Sequence, residues 1–335
     1  MTGPSGEGAR RIVQVHPTLR CNLKCAHCYS SSAPAQKQSL DQNLLKQFLS
    51  DAVVLGFDSV SVSGGEPLMY PELEELLTFA RHIGLQTGLV TNGTFLTREM
   101  TNRLEPLLDV MAISLDGPPE LHNRIRGSHQ AFGRAVRALD YIANSRIASA
   151  VVHTVTKSSL PFLGEVISTA RRHGAYSIRL HPLEMHGRAE LNMTTEALTP
   201  SDRNRLFLQA KALNRLHLDD LRIELDLELR SRLLSRRPFS SPPSGETADD
   251  VQVLVVDPAG RVVPVAYGID PTYQVCNLAE QSLLEGWRDF MQKRYPHLQN
   301  LSNTLLDEIQ EDSEQMVLNW HETLVARSLS PVASP

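Results

Sequence analysis

The chain has 335 residues, 41% of them hydrophobic, and a formal net charge of -5. That length suits one large domain or two ordinary ones with a sizeable core. The acidic balance gives no support for the broad basic surface that duplex nucleic acid selects, and no apolar run approaches the ~20 residues that span a bilayer.

Residues 1–10 are Gly/Ser-rich, lack an apolar signal core and read as a flexible N-terminus. A short strand over 12–16 follows, then a cysteine-bearing loop. Apolar residues at helical spacing (Leu44, Leu45, Phe48, Leu49, Val53) predict a helix over 40–55. Strands are predicted over 59–63, 86–91, 110–115, 148–156 and 177–183. Helices are predicted over 71–82, 97–107, 132–144 and 163–173. Six βα-type units with short connections imply a parallel sheet with right-handed crossovers, covered by helices on its faces. A partial barrel and a doubly wound sheet both fit that pattern.

After Leu183 the alternation stops. A helix is predicted over 201–218, and 221–234 has Leu at helical spacing among charges. Residues 235–250 hold three prolines and several serines and read as a linker. A β-hairpin is predicted over 251–265, turning at Asp257-Pro258-Ala259-Gly260. Helices are predicted over 282–293 and 303–328, and the last seven residues, 329–335, read as a flexible tail.

Three of the four cysteines, Cys21, Cys25 and Cys28, lie within eight residues, at the end of the first strand. That is no secreted disulfide framework, and it favours the reducing cytoplasm. Thiolates bind iron–sulfur clusters. Three of them on a cluster of four irons leave one iron open for a substrate. Taken alone, the loop also reads as a zinc site with His27 as fourth ligand, or as three buried thiols.

Cys21-x3-Cys25-x2-Cys28 followed by Tyr29 resembles the signature of the radical S-adenosylmethionine (SAM) superfamily. The resemblance implies a partial (β/α)6 TIM-like barrel, one [4Fe–4S] cluster on Cys21, Cys25 and Cys28, and SAM as cofactor. His27 sits where that family packs a residue near the adenine. Gly64-Gly65-Glu66-Pro67, thirty-six residues after Cys28, resembles the loop that binds the methionine amino group. Asn92 lies in a turn that lines the family's cleft, and Leu180 in the strand whose backbone holds the adenine. Ser114-Leu115-Asp116-Gly117, with His122 to Gly127 beyond, resembles a segment of peptide-modifying members. There Ser114 contacts the ribose, Arg126 pairs with the methionine carboxylate, and Asp116 stands near the reaction centre as the candidate catalytic residue. Without the resemblance, 122–127 reads as an exposed loop.

The stretch 253–264 resembles the start of an auxiliary-cluster (SPASM or twitch) domain, and 273–283 its next segment. Val265 replaces a cysteine of that pattern, and Cys276 stands where glycine is usual. The expected layout is a radical SAM core over 11–195, a helical extension and linker over 196–250, and a small, degenerate α+β domain over 251–328 without auxiliary clusters. The implied activity is reductive cleavage of SAM to a 5′-deoxyadenosyl radical, which takes hydrogen from a ribosomally made precursor peptide. The alternatives are a small-metabolite substrate and a non-catalytic metal-binding module. About eleven residues precede the first strand, too few for a fused leader-recognition module. A separate recognition protein and a flavodoxin or ferredoxin-type electron donor are therefore the expected partners, with no nucleic acid and no membrane. By chemistry alone, Tyr29, Tyr267 and Cys276 are candidate hydrogen donors.

Overall fold

The computed structural model describes residues 10–216, 221–239, 250–312 and 315–330. The flexible termini and the 235–250 linker expected from the sequence lie mostly outside the described residues.

Strands β1 (Ile12–Val15), β2 (Ser59–Val62), β3 (Gln86–Thr91), β4 (Val110–Ser114), β5 (Ala148–Val155) and β6 (Ser177–Pro182) pair in parallel and in chain order. Between them run α1 (Gln42–Val54), α2 (Leu73–His82), α3 (Arg98–Leu104), α4 (Pro119–Arg126), α5 (Ala131–Ala143) and α6 (Leu163–Arg172). This is the expected α/β fold, a partial (β/α)6 barrel. Its inner strands are largely buried on both faces, with buried polar side chains such as Ser59, Ser61 and His153 among the apolar ones. Val13, Val15, Val60, Val62, Leu89, Ile113 and Val151 are buried against Phe48, Leu76 and Leu139 from the helices. Helix starts are written locally. Asp41 accepts from Asn43 N at 2.8 Å, and Thr97 from Met100 N at 3.1 Å, each satisfying a first-turn amide that has no partner within its helix.

The helices α7 (Arg188–Asn192) and α8 (Pro200–Leu216) follow. The helical spacing over 221–234 holds only in its last part, within the helix Arg230–Arg236. Residues Arg222–Leu225 form β7, which pairs in parallel with β6, Ile223 opposite Ile178. Buried Leu221 and Ile223 alternate with exposed Arg222, the two-residue period of a strand, and β6 offers a free edge. Next come β8 (Glu228–Leu229) and α9 (Arg230–Arg236).

The predicted hairpin is present as β9 (Val253–Val256) and β10 (Arg261–Pro264), with β11 (Cys276–Asn277) beyond. It joins the barrel sheet: β9 runs parallel to β1, Ile12 opposite Val253. The result is one ten-stranded sheet in the order β11-β10-β9-β1-β2-β3-β4-β5-β6-β7. The helices α10 (Leu283–Asp289) and α11 (Tyr295–Glu311) pack beside it. The single helix expected over 303–328 is interrupted by β12 (Val317–Leu318), which pairs with β8, and restarts as α12 (Trp320–Leu329). Asn319 caps that restart by accepting from Glu322 N.

Candidate active site

The loop after β1 gathers Cys21, Cys25 and Cys28 in one contact cluster with Leu23. Each thiol meets a polar partner from a different place. Asn92 Nδ2 donates to Cys21 Sγ at 3.9 Å, Arg126 Nη1 to Cys25 Sγ at 3.9 Å, and Ser30 Oγ lies 3.4 Å from Cys28 Sγ. Leu23 N donates to Cys21 Sγ at 3.5 Å. Burial pushes the Cys21 thiol up to about 12 and raises that of Cys25, against which Arg126 acts. As free thiols, Cys21 and Cys25 stay protonated near neutral pH, and a bound metal would favour their thiolates.

Zinc does not suit them. One zinc ion draws its ligands to about 2.0–2.3 Å, and among the described residues no three His, Cys, Asp or Glu side chains converge on a single ion. His27, the proposed fourth ligand, has its Nε2 bonded to Asp116 Oδ2 at 2.9 Å. A cubane spreads its thiolates over separate irons and takes N–H···S bonds to the sulfurs, and Leu23 N, Asn92 and Arg126 supply such donors here.

Gly64 and Gly65 form the floor beneath the loop. Gly64 has φ of 99°, and a Cβ on Gly65 would meet Arg20 O at 2.3 Å. Gly65 N donates to Thr18 O and Glu66 N to Arg20 O, both at 2.9 Å, which fixes the chain just ahead of Cys21. Glu66 is fully buried and Pro67 starts a short 3-10 turn after it. The Glu66 carboxylate accepts from Thr91 Oγ1 at 2.6 Å, Asn92 N at 3.0 Å and Leu68 N at 3.1 Å. Burial raises its pKa, and those three bonds offset that only in part. Glu66 thus ties the β2 loop to the β3 loop. Asn92 in turn bonds Asn22 Oδ1 at 2.9 Å.

Asp116, just beyond β4, is the hub of the opposite side. It is fully buried and accepts from Arg126 Nε at 2.6 Å, His27 Nε2 at 2.9 Å and Thr154 N at 3.1 Å. Burial opposes its ionisation, but Arg126 and His27 outweigh that and hold the carboxyl well below the usual range. The stretch 122–127 is not an exposed loop. It is the end of α4, with Gly127 left-handed at φ 68° and Arg126 buried. Pro119 in the first turn and Gly127 past the last are the corresponding sequence signals. His122 Nδ1 accepts from Asp116 N at 3.0 Å, and burial lowers that histidine to about 3, so it stays neutral. Ser114 ends β4 and is buried. Leu180 lies within β6, its side chain in the core and its carbonyl taken by Asp226 N at 3.1 Å.

The candidate hydrogen donors part company. Tyr29 and Tyr267 stack edge to face at 5.1 Å, and Tyr29 Oη lies 3.3 Å from His16 Nε2. Tyr267 also lines a cavity of about 180 Å3 with His186 and Gln274. Cys276 sits on β11, fully buried, beneath Gly286, where a Cβ would meet its own Cβ at 2.3 Å. Replacing Cys276 with alanine is expected to leave iron content and turnover unchanged, which iron assay and product quantification check. Val265 is buried with φ of 71°, a left-handed conformation that a β-branched residue rarely adopts.

Residues 15–158 match the family model described as the Radical SAM superfamily. Among curated relatives, Fe-coproporphyrin III synthase of Methanosarcina barkeri is 28% identical over 208 residues, 62% of this chain and 52% of that protein. Mycofactocin maturase MftC of Mycobacterium tuberculosis is 34% identical over 177 residues, 51% of this chain and 44% of that protein. The chain thus spans about half the length of the curated relatives it matches. Among solved structures, Streptococcus suis SuiB bound to precursor peptide SuiA superposes with a TM-score of 0.68 at 15% identity, covering 92% of this chain and 74% of that one. That likeness extends the shared fold beyond the barrel. Among the described residues, no helix is long and apolar enough to cross a membrane.

Proposed function

Taking the radical SAM domain over residues 15–158 as the premise, we propose that this chain is an enzyme that cleaves S-adenosylmethionine reductively and takes hydrogen from a ribosomally made precursor peptide. The observation that carries the reading is the buried Asp116–Arg126–His27 group set against a three-thiol loop. Buried charged groups are costly to assemble even when paired, as Arg126 and His27 are to Asp116, and a purely structural site gains little from them. In a binding site they are what an anionic cluster and a carboxylate require.

Cys21, Cys25 and Cys28 hold one [4Fe–4S] cluster. When bound, the cluster and SAM supply one-electron cleavage of a sulfur–carbon bond and a carbon radical. Arg126 binds the methionine carboxylate. Gly64, Gly65, Glu66 and Pro67 shape the pocket for the amino group, with the Glu66 side chain fixing the backbone and Asn92. Ser114 faces the ribose; His27 and Leu180 border the adenine. Asp116 acts through Arg126 and His27 and is a positioning residue.

The layout assigned is a core over 11–195, an extension over 196–250 and a degenerate auxiliary domain over 251–328. With Cys276 the one remaining cysteine, a second cluster lacks ligands. Anaerobically reconstituted protein is therefore expected to hold about four irons per chain; eight would sink this assignment. A cytoplasmic setting, a separate leader-recognition protein and a flavodoxin or ferredoxin-type donor complete the proposal.

The peptide reading is supported by the MftC likeness and by the fold shared with SuiB. A second reading, a tetrapyrrole or other small metabolite, is supported by the longer match to the Fe-coproporphyrin III synthase. Turnover that depends on a leader-bearing peptide supports the first; turnover of iron coproporphyrin without any peptide supports the second. No 5′-deoxyadenosine from cluster-loaded, reduced protein would remove both.

A further inference from the structure

The turn between β6 and α7 grips the backbone of the thiol loop. Gly187 has φ of 61°, and a Cβ there would meet Tyr29 O at 2.2 Å and Cys28 O at 2.8 Å. Only glycine lets the two backbones approach so closely. Arg188 N donates to Cys28 O at 3.0 Å, and Arg188 Nε to Cys25 O at 2.8 Å. Arg188 Nη2 is buried and has no hydrogen-bond partner. A buried donor left unsatisfied is destabilising, more so when charged. Its charge also acts on the Cys25 thiol, lowering it against burial. A guanidinium so placed, bonded to the Cys25 carbonyl with one nitrogen unspent while its own backbone amide holds the Cys28 carbonyl, suits a buried anion held by those ligands.

We propose that Arg188 is a positioning residue for the iron–sulfur cluster, clamping the Cys25 and Cys28 carbonyls and offering Nη2 as the charged donor that favours the reduced cluster. This rests on the cluster assigned to Cys21, Cys25 and Cys28 above. Reduction adds a negative charge to an already anionic group. A nearby cation therefore raises the reduction potential, as hydrogen bonds to the sulfurs also do.

The test is a redox titration of the full-length, anaerobically reconstituted protein, followed by the spectroscopic signal of the reduced cluster. In Arg188→Met the ratio of reduced to oxidised cluster, at the potential that half-reduces the wild type, falls about tenfold, which is about 59 mV for one electron. Arg188→Lys keeps the charge and stays within about threefold of wild type. An unchanged potential in Arg188→Met overturns the proposal. So does an equal fall in Arg188→Lys, since that would mark a purely structural role. Should Arg188→Met load too little iron to titrate, Arg188→Gln carries the same decision, because it also removes the charge. A wild type that binds no cluster refutes the cluster assignment instead, which separates the two failures.

Discussion

Cys25→Ala is expected to abolish both cluster and product: iron content near zero after reconstitution, and no 5′-deoxyadenosine after reduction. A four-iron cluster on three thiolates already leaves one iron open. Removing a second ligand leaves two irons exposed in a site where Cys25 is also the thiol met by Arg126 Nη1. Cys21→Ala and Cys28→Ala should behave alike. Full iron loading and normal product in any of the three would rule out the cluster as placed.

The second large effect is expected at Asp116. Asp116→Asn is nearly isosteric but removes the charge that balances Arg126, and alters the oxygen bonded to His27, inside a buried site. Breaking a buried pair by neutralising one partner costs about 3–5 kcal/mol. If that cost falls on the bound state, 5′-deoxyadenosine formation drops by more than about a hundredfold. A double variant separates placement from folding. Asp116→Asn with Arg126→Met removes both charges, so thermal stability should recover part of the single variant's loss while activity does not return. An Asp116→Asn protein with wild-type stability and rate would show that the carboxylate orients nothing. The sign of the pH dependence follows from the depressed carboxyl. Its contribution to stability is complete above the unfolded value near 3.9 and is lost only as pH falls towards the lower folded value. The effect of the substitution should therefore be flat from about pH 6 to 9.

Much of this was written in local pattern. The thiol spacing and the six βα units depend on short-range periodicity, and the structure keeps them. Glu66 illustrates the limit. Gly-Gly-Glu-Pro marks a carboxylate at a strand end, but no spacing tells whether it turns to a ligand or to its own chain. The deciding partners, Thr91 and Asn92, belong to the next strand. β7 was hidden because its few residues carry charges among leucines, and its strand state depends on the open edge of β6. Arg188 was hidden by distance, since it meets Cys25 across 163 positions. The Gly187-Arg188 pair at a strand-to-helix turn was the only local sign.

The pairing of β9 with β1 sets an order in time. Arg11 Nε donates to Val251 O across 240 positions, and β1 lies between β2 and β9 in the sheet. Contacts that distant close late, because the loop entropy is lost before they repay it. On the ribosome, β1 and the loop it launches remain half-framed until the hairpin has emerged. Metal loading then belongs after synthesis, and a ribosome-stalled chain ending before residue 250 should take up iron poorly even with all three cysteines present.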